Sequence, residues 1–141
     1  MEILLIGLLG ICAVYDLQSR TIPTVWVWGC VGLMLINRLC LLIRDESNIK
    51  EAFICILPGL LLLLFSYVSN QVGEGDGWLV IACGLCFSWE NMIKGIFYAF
   101  LIAGIWGVAY LLVAHKSKND KLPFVPSLFL GVTVVVIGGF V

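Results

Sequence analysis

Apolar residues form six long runs along this chain, and short polar stretches separate them. The polar stretches fall at residues 16–24, 44–51, 69–77, 90–94 and 115–121. They leave apolar spans at roughly 1–16, 24–43, 52–69, 76–91, 94–114 and 124–141. A helix that crosses the hydrocarbon layer needs about 20 residues, within a range of about 17–25. The pattern therefore predicts an all-α membrane protein, a polytopic bundle of about six transmembrane helices.

The predicted spans differ in length. Spans two, three, five and six are long enough to cross, whereas spans one and four are about four residues too short. The first span has Glu2 where a secretory signal peptide carries basic residues, so we expect a retained helix. The loops are too short for a separate soluble domain, so residues 1–141 are predicted to form a single transmembrane domain.

The composition indicates that lipid is the main solvent of this chain. Hydrophobic residues make up 62% and charged residues 12%, whereas a soluble domain has roughly 25% charged residues. The 8 basic and 9 acidic residues nearly cancel, and no basic stripe favours nucleic-acid binding. The basic residues are divided evenly between the two predicted sides, so the positive-inside rule leaves the orientation open.

The six cysteines lie within apolar runs, where a thiol behaves as a small hydrophobic group. Cys83 and Cys86 form a CxxC pair, which in other contexts binds a metal or carries redox chemistry. No second CxxC and no nearby histidine completes a tetrahedral site. The spacing favours packing on one helix face, and we expect neither a metal nor a cofactor.

The two short spans each place an aspartate at one end. Span one ends at Asp16 and span four begins at Asp76, and the two crossings between them return both to the same face of the membrane. Sixteen residues extend about 24 Å, less than the hydrocarbon thickness of about 30 Å, so a polar helix end is expected to sink below the interface. Ionisable residues at that depth are costly and indicate a function.

A pair of aspartates has a specific chemistry. Two carboxylates a few ångströms apart tend to share one proton. The ionised member can take a proton from water, while the protonated member donates one to a carbonyl group under attack. This is the apparatus of an aspartic protease. The same acids would also suit a proton- or cation-coupled transporter, whereas a noncatalytic scaffold would leave them unexplained.

The stretch VGEGDGW surrounds the second aspartate with glycines. Gly73, Gly75 and Gly77 permit backbone angles that other residues avoid, and they allow a substrate backbone to approach closely. Glu74 is placed to contact a substrate, or else is a solvated loop acid. The alternative for the whole stretch is a flexible turn in which Asp76 caps the following helix.

Three segments together resemble the type IV prepilin peptidases. DLQSRTIP, from Asp16 to Pro23, is similar to the first aspartate motif of that family, and GEGD, from Gly73 to Asp76, is similar to its GxGD motif. LPFVPSLFLG, from Leu122 to Gly131, resembles the Pro-Phe-x-Pro segment that opens the last helix. The order of the three motifs also agrees, and the resemblance covers nearly the whole chain.

The resemblance implies a metal-independent aspartic endopeptidase of the GxGD type. The family removes leader peptides from prepilins and pilin-like proteins at the cytoplasmic face, in pilus, secretion and related systems. Asp16 and Asp76 match its catalytic aspartates. Loops 16–24, 69–77 and 115–121 would then be cytoplasmic, and the protein would be a multi-pass protein of the cell (inner) membrane.

Four further residues are candidates for supporting roles. Arg20 lies four residues after Asp16 and would be its neighbour on a helix, where it would favour the ionised carboxylate or bind an acidic group of the substrate. Its alternative role is to anchor a lipid headgroup. Pro23 belongs to the first matched motif. Pro123 and Pro126 are predicted to frame the cleft, or to set the start of the last helix.

The sequence departs from the family pattern in two motif positions and in one larger feature. Thr24 stands where asparagine is common, and Trp78 stands where lysine is common, so substrate contacts near Trp78 are expected to differ. Longer members carry a cytosolic domain with two CxxC pairs ahead of the first motif, associated with N-methylation of the product. Only 15 residues precede Asp16 here, so we expect cleavage without methylation.

Overall fold

The computed structural model describes residues 1–19, 22–44, 49–69, 73–114 and 124–139. Over these residues the chain forms six helices and no strand, which confirms the predicted all-α class. The helices are α1 (Glu2–Ser19), α2 (Thr24–Ile43), α3 (Ile49–Ser69), α4 (Glu74–Cys86), α5 (Trp89–Ala114) and α6 (Val125–Gly139).

Four of these helices are long and apolar enough to cross a membrane, namely α1, α2, α3 and α5. The protein is therefore a polytopic helical membrane protein. Helix α4 has 13 residues and α6 has 15 in the described part of the chain. At 1.5 Å per residue they extend about 20 and 22 Å, which is less than the hydrocarbon thickness of about 30 Å.

The first helix is longer than the sequence pattern predicted. It continues through Asp16 to Ser19, because polar residues near a helix end still complete its backbone hydrogen bonds. Ser19 contributes a further bond, since its Oγ donates to the carbonyl oxygen of Tyr15 at 2.9 Å. Asp16 consequently lies in the last turn of α1 rather than at its end.

The predicted boundary between spans four and five was also wrong. The polar residues 90–94 lie inside α5, and the chain breaks earlier, at Phe87 and Ser88. Helix α5 tolerates this polar start because Glu90 lies in its first turn, where the helix dipole favours a negative charge. In addition, the N–H of Trp89 donates to Oε1 of Glu51 in α3 at 3.2 Å.

Helix α4 occupies the centre of the bundle. Its residues from Leu79 to Leu85 are all buried, and it packs mainly against α3 and α2. A helix that other helices surround does not need to match the thickness of the lipid. The short length of α4 is therefore compatible with a position inside a membrane protein.

Glycines allow α3 and α4 to approach closely. A Cβ atom at Gly84 would overlap the carbonyl oxygen of Cys55 in α3. One at Gly59 would lie 2.5 Å from Cγ1 of Ile81 and 2.7 Å from its backbone nitrogen. Small residues at such contacts let membrane helices pack backbone against backbone.

An arginine is buried at the end of the bundle opposite the start of α2. Arg38 is 6% exposed, and its Nε and Nη2 atoms find no hydrogen-bond partner among the described residues. The guanidinium group lies near enough to Cys86, at the C-terminus of α4, to interact with it electrostatically. Because a helix C-terminus favours a positive charge, Arg38 is placed to stabilise the buried end of α4.

We predict that Gly84→Ala lowers the melting temperature of the protein in detergent. The added methyl group must displace the α3 backbone at Cys55, and overpacking of this kind costs about 1–3 kcal/mol. Gly104→Ala is the matched control, since no atom lies within 4 Å of a Cβ at that position. The control should melt at the parent temperature or slightly above it. Equal melting temperatures for the two variants would contradict the proposed close packing of α3 and α4.

Candidate active site

Asp16 is held at the junction between the first and last helices. It is 7% exposed, and its Oδ2 accepts a hydrogen bond from the backbone N–H of Val125 at 3.2 Å. The donor is the first residue of α6, which packs along α1. A carboxylate in the last turn of α1 is disfavoured by the dipole of its own helix, and the N-terminus of α6 offsets that effect.

Asp76 lies in the first turn of α4, which begins at Glu74. Its backbone N–H donates to the carbonyl oxygen of Gly73 at 3.1 Å, and its side chain is partly buried. Here the carboxylate belongs to the N-terminal turn of its own helix, where the dipole favours negative charge.

The start of α2, with Ile22 just before it, lies beside the residues that precede the two aspartates. On one side, the ring of Tyr15, the residue before Asp16, lies 6.4 Å from the ring of Trp26. On the other side, a Cβ at Gly75, the residue before Asp76, would lie 3.7 Å from Ile22 and 3.8 Å from Val27. Helices α1 and α4 also contact each other directly. The structure therefore brings Asp16 and Asp76 to the same end of the bundle.

The N-termini of α2, α4 and α6 all lie at this end. Helices α2 and α4 meet through Ile22, Val27 and Gly75, and the start of α6 meets α1 at Asp16. The unpaired N–H groups and positive dipole ends of helices favour anions. Such surroundings lower the electrostatic cost of placing two acids together in a nonaqueous setting.

The comparisons with known proteins identify the family. A model of the type IV leader peptidase family matches residues 3–108, a range that includes both aspartates. The chain belongs to the type IV leader peptidase family. The match ends within α5, so α6 and its Pro-Phe-x-Pro segment lie beyond it.

Two curated relatives bear the name prepilin leader peptidase/N-methyltransferase. The protein from Haemophilus influenzae is 31% identical over 124 residues, which are 86% of this chain and 51% of the relative. The protein from Bacillus subtilis is 25% identical over 131 residues, which are 92% of this chain and 52% of the relative. This chain thus spans about half the length of the curated relatives that it matches. No solved structure gives a significant match.

The glycines of the family's GxGD motif do not have the backbone role that the sequence predicted. Gly73 precedes α4 with φ of −68° and ψ of 136°, an extended conformation that any residue adopts. Gly75 and Gly77 are part of the helix itself. At Gly77 the requirement is space, because a Cβ there would lie 2.7 Å from Cγ of Leu63 and 3.1 Å from its backbone nitrogen.

The supporting residues predicted from the motifs are placed as follows. Glu74 is exposed at the start of α4. Pro23 is exposed before α2, and its carbonyl oxygen accepts the N–H of Trp26 at 3.0 Å. Pro126 is partly buried as the second residue of α6. Arg20 and Pro123 lie outside the described residues.

Trp78, the position that departs from the family pattern, packs against α2. Its ring centroid lies 4.9 Å from that of Trp28, with an angle of 41° between the ring planes. Trp28 is exposed on the outside of the bundle. The departure therefore replaces the common lysine with an aromatic contact between α2 and α4.

Four of the six cysteines are packing residues of the bundle. Cys12, Cys30, Cys55 and Cys83 are buried, whereas Cys40 is exposed, and no disulfide joins any of the six cysteines. Among the residues that the structure describes, no group of three or more histidine, cysteine or acidic side chains is placed to hold a metal ion.

Sequence reasoning missed one group at this site, the backbone N–H of Val125. Motifs of side chains do not reveal a backbone donor. The sequence did contain a signal for this donor. Proline has no backbone N–H, so the positions of the prolines in a Pro-x-x-Pro segment at the start of a helix determine which residues there can donate a hydrogen bond.

We predict that Gly77→Ala lowers the melting temperature, whereas Gly75→Ala does not. Alanine at position 77 must displace the side chain of Leu63, whose Cγ would lie 2.7 Å from the new Cβ, at a cost of about 1–3 kcal/mol. Alanine at position 75 makes ordinary contacts at 3.7 Å or more and is also a better helix former than glycine. Melting temperatures in the same detergent would test both variants. A strong destabilisation by Gly75→Ala would indicate that the backbone there differs from the helical form described above.

Proposed function

We propose that this protein is a membrane-embedded aspartic endopeptidase, in which Asp16 and Asp76 form the catalytic pair. The observation that carries the proposal is the position of these two acids at one end of the bundle, where the residue before each of them lies beside the start of α2. Membership of the type IV leader peptidase family supports peptide hydrolysis. The names of the two relatives support a prepilin-like protein as the substrate.

The pair would hydrolyse a peptide bond with one shared proton. The water oxygen bonds to the scissile carbonyl carbon while one water proton moves to the ionised aspartate. The protonated aspartate gives its proton to the carbonyl oxygen, which produces a neutral tetrahedral diol. In the second step the first aspartate protonates the leaving nitrogen, the C–N bond breaks, and one diol proton returns to the second aspartate.

The position of the pair suits a substrate that is cut beside a hydrophobic helix. Asp16 is one turn from the end of an apolar helix of 18 residues, which is long enough to cross a membrane. A substrate helix lying alongside in the lipid would present its polar flank at this same level. We propose that this end faces the cytoplasm in the cell membrane, and that Arg20 binds an acidic group of the substrate.

We predict that Asp16→Asn and Asp76→Asn each abolish cleavage of a leader-bearing prepilin by the purified protein in detergent. Asparagine keeps the shape of aspartate but cannot exchange a proton usefully. Proton transfer by a positioned side chain accelerates a reaction by about 10²–10⁴-fold. When two residues act as a unit, the loss of either one removes most of this acceleration. Melting temperatures should stay at or above that of the parent, since each change removes a carboxylate that is costly to bury.

Glu74→Gln is the control for this pair. It removes an acid only two residues from Asp76 but outside the pair, and it should keep a substantial part of the activity. If either asparagine variant stays folded and cleaves within a few-fold of the parent, the catalytic pair is assigned wrongly. The transporter would instead be favoured if the parent cleaved nothing but carried a proton-coupled ion flux in vesicles, and if the asparagine variants lost that flux.

We predict that cleavage continues after treatment with a strong chelator such as EDTA. The proposed mechanism activates water with a carboxylate and uses no Lewis acid. The measurement is the cleavage rate before and after chelation and dialysis. Loss of activity that added zinc restores would show that a metal takes part.

A further inference from the structure

We propose that the backbone N–H of Val125 is a positioning group for the catalytic pair. By holding Oδ2 of Asp16, it fixes the orientation of this carboxylate and offsets part of the cost of its ionised form. This inference rests on the proposed function and names a group that orients one member of the pair.

The geometry of the contact supports a positioning role. Val125 and Asp16 are 109 residues apart in the chain, yet their N–H and Oδ2 lie 3.2 Å apart in a buried setting. Val125 is 0% exposed, and Asp16 is 7% exposed. Water therefore competes little for this donor, and a bond from an N–H group to a charged acceptor is stronger than one between neutral groups.

The start of α6 makes this donor available. The first N–H groups of a helix have no acceptor within the helix. The next residue, Pro126, has no N–H group, and the N–H of Leu128 is already bonded to the carbonyl oxygen of Phe124 at 3.0 Å. The buried side chain of Val125 and the contact of the Phe124 ring with Phe100, at 5.6 Å between centroids, fix the position of this helix end.

The other described groups around Asp16 supply no positive charge. Helix α4 presents Glu74 and Asp76 at this end, and α6 carries no titratable side chain between residues 125 and 139. The thiol of Cys12 on α1 is a further titratable neighbour, and it contacts the thiol of Cys30 on α2. The arginines of the described part of α2, Arg38 and Arg44, lie towards its opposite end. Among the described residues, the Val125 N–H is thus the donor that favours a negative charge on Asp16.

The hydrogen bond also selects the reacting oxygen. It engages Oδ2, which leaves Oδ1 of Asp16 to exchange protons with the reacting groups. The proton that Oδ1 gains or gives when the diol forms is returned when the C–N bond breaks, so the pair again holds one shared proton.

The test removes the N–H and keeps the rest of the chain. Val125→Pro deletes this donor at the first helical position, where proline is well tolerated. We expect kcat for a leader-bearing prepilin to fall about 10- to 100-fold, as expected from the loss of a hydrogen bond to a charged group, with KM little changed. The low-pH limb of the kcat/KM profile should move to higher pH, because the ionised form of Asp16 has lost its donor.

Leu128→Ala is the matched control. It removes a side chain that is 1% exposed from the same helix and leaves the N–H of Val125 in place. Its melting temperature should fall, while its pH profile should remain that of the parent. Replacement of Val125 by its α-hydroxy acid analogue gives a second test, since the resulting ester lacks the N–H but keeps the side chain. This variant answers the question if Val125→Pro does not fold.

The outcomes separate this inference from the proposed function. A parent enzyme that cleaves, an inactive Asp16→Asn, and a shifted pH profile for Val125→Pro or the ester would support both. Normal kcat and an unshifted profile in a folded variant without the N–H, beside an inactive Asp16→Asn, would overturn the inference alone. The same shift in Leu128→Ala would overturn it as well. An active Asp16→Asn would overturn both.

Discussion

The structure depends on placing negative charge where there is little water to solvate it. Asp16 and Asp76 lie at one end of an apolar bundle, and two ionisable carboxylates there would repel each other. The fold answers with helix N-termini, because α4 begins beside Asp76 and α6 begins beside Asp16. Partial positive charge and N–H donors are thus supplied by backbone, and no basic side chain has to be buried beside the acids in the described structure.

The same principle appears at the other end of the bundle. There, Glu51 of α3 accepts the N–H of Trp89 at the start of α5, and Arg38 lies near the C-terminus of α4. A helix end inside a membrane leaves N–H or carbonyl groups that cost several kcal/mol when unsatisfied. The bond from Trp89 to Glu51 satisfies one such group at the start of α5, and Arg38 interacts electrostatically with the last residue of α4.

The sequence predicted the helical class, the α2 boundaries and the two aspartates at one end, since these depend on runs of apolar residues and on the number of crossings. It did not predict that α1 continues past Asp16 or that α5 begins before Glu90. Those boundaries depend on local hydrogen bonds, such as that of Ser19 and that of Trp89 with Glu51. The role of Gly77 was also missed, because close contact with Leu63 is a property of the packed pair of helices. The pattern of apolar and polar residues within either helix does not reveal this contact.

The two acids are of the same residue type, but they differ in burial, in the helix end at which they lie and in their hydrogen bonds. Asp16 is buried, lies at the unfavourable end of its own helix and is held by a donor from α6. Asp76 is partly exposed and lies at the favourable end of its own helix. Acid and base roles within a pair are set by such differences in environment rather than by residue type. A donor fixed by the packing of the first helix against the last would hold Asp16 in one orientation, while the more exposed Asp76 remains able to approach the substrate carbonyl.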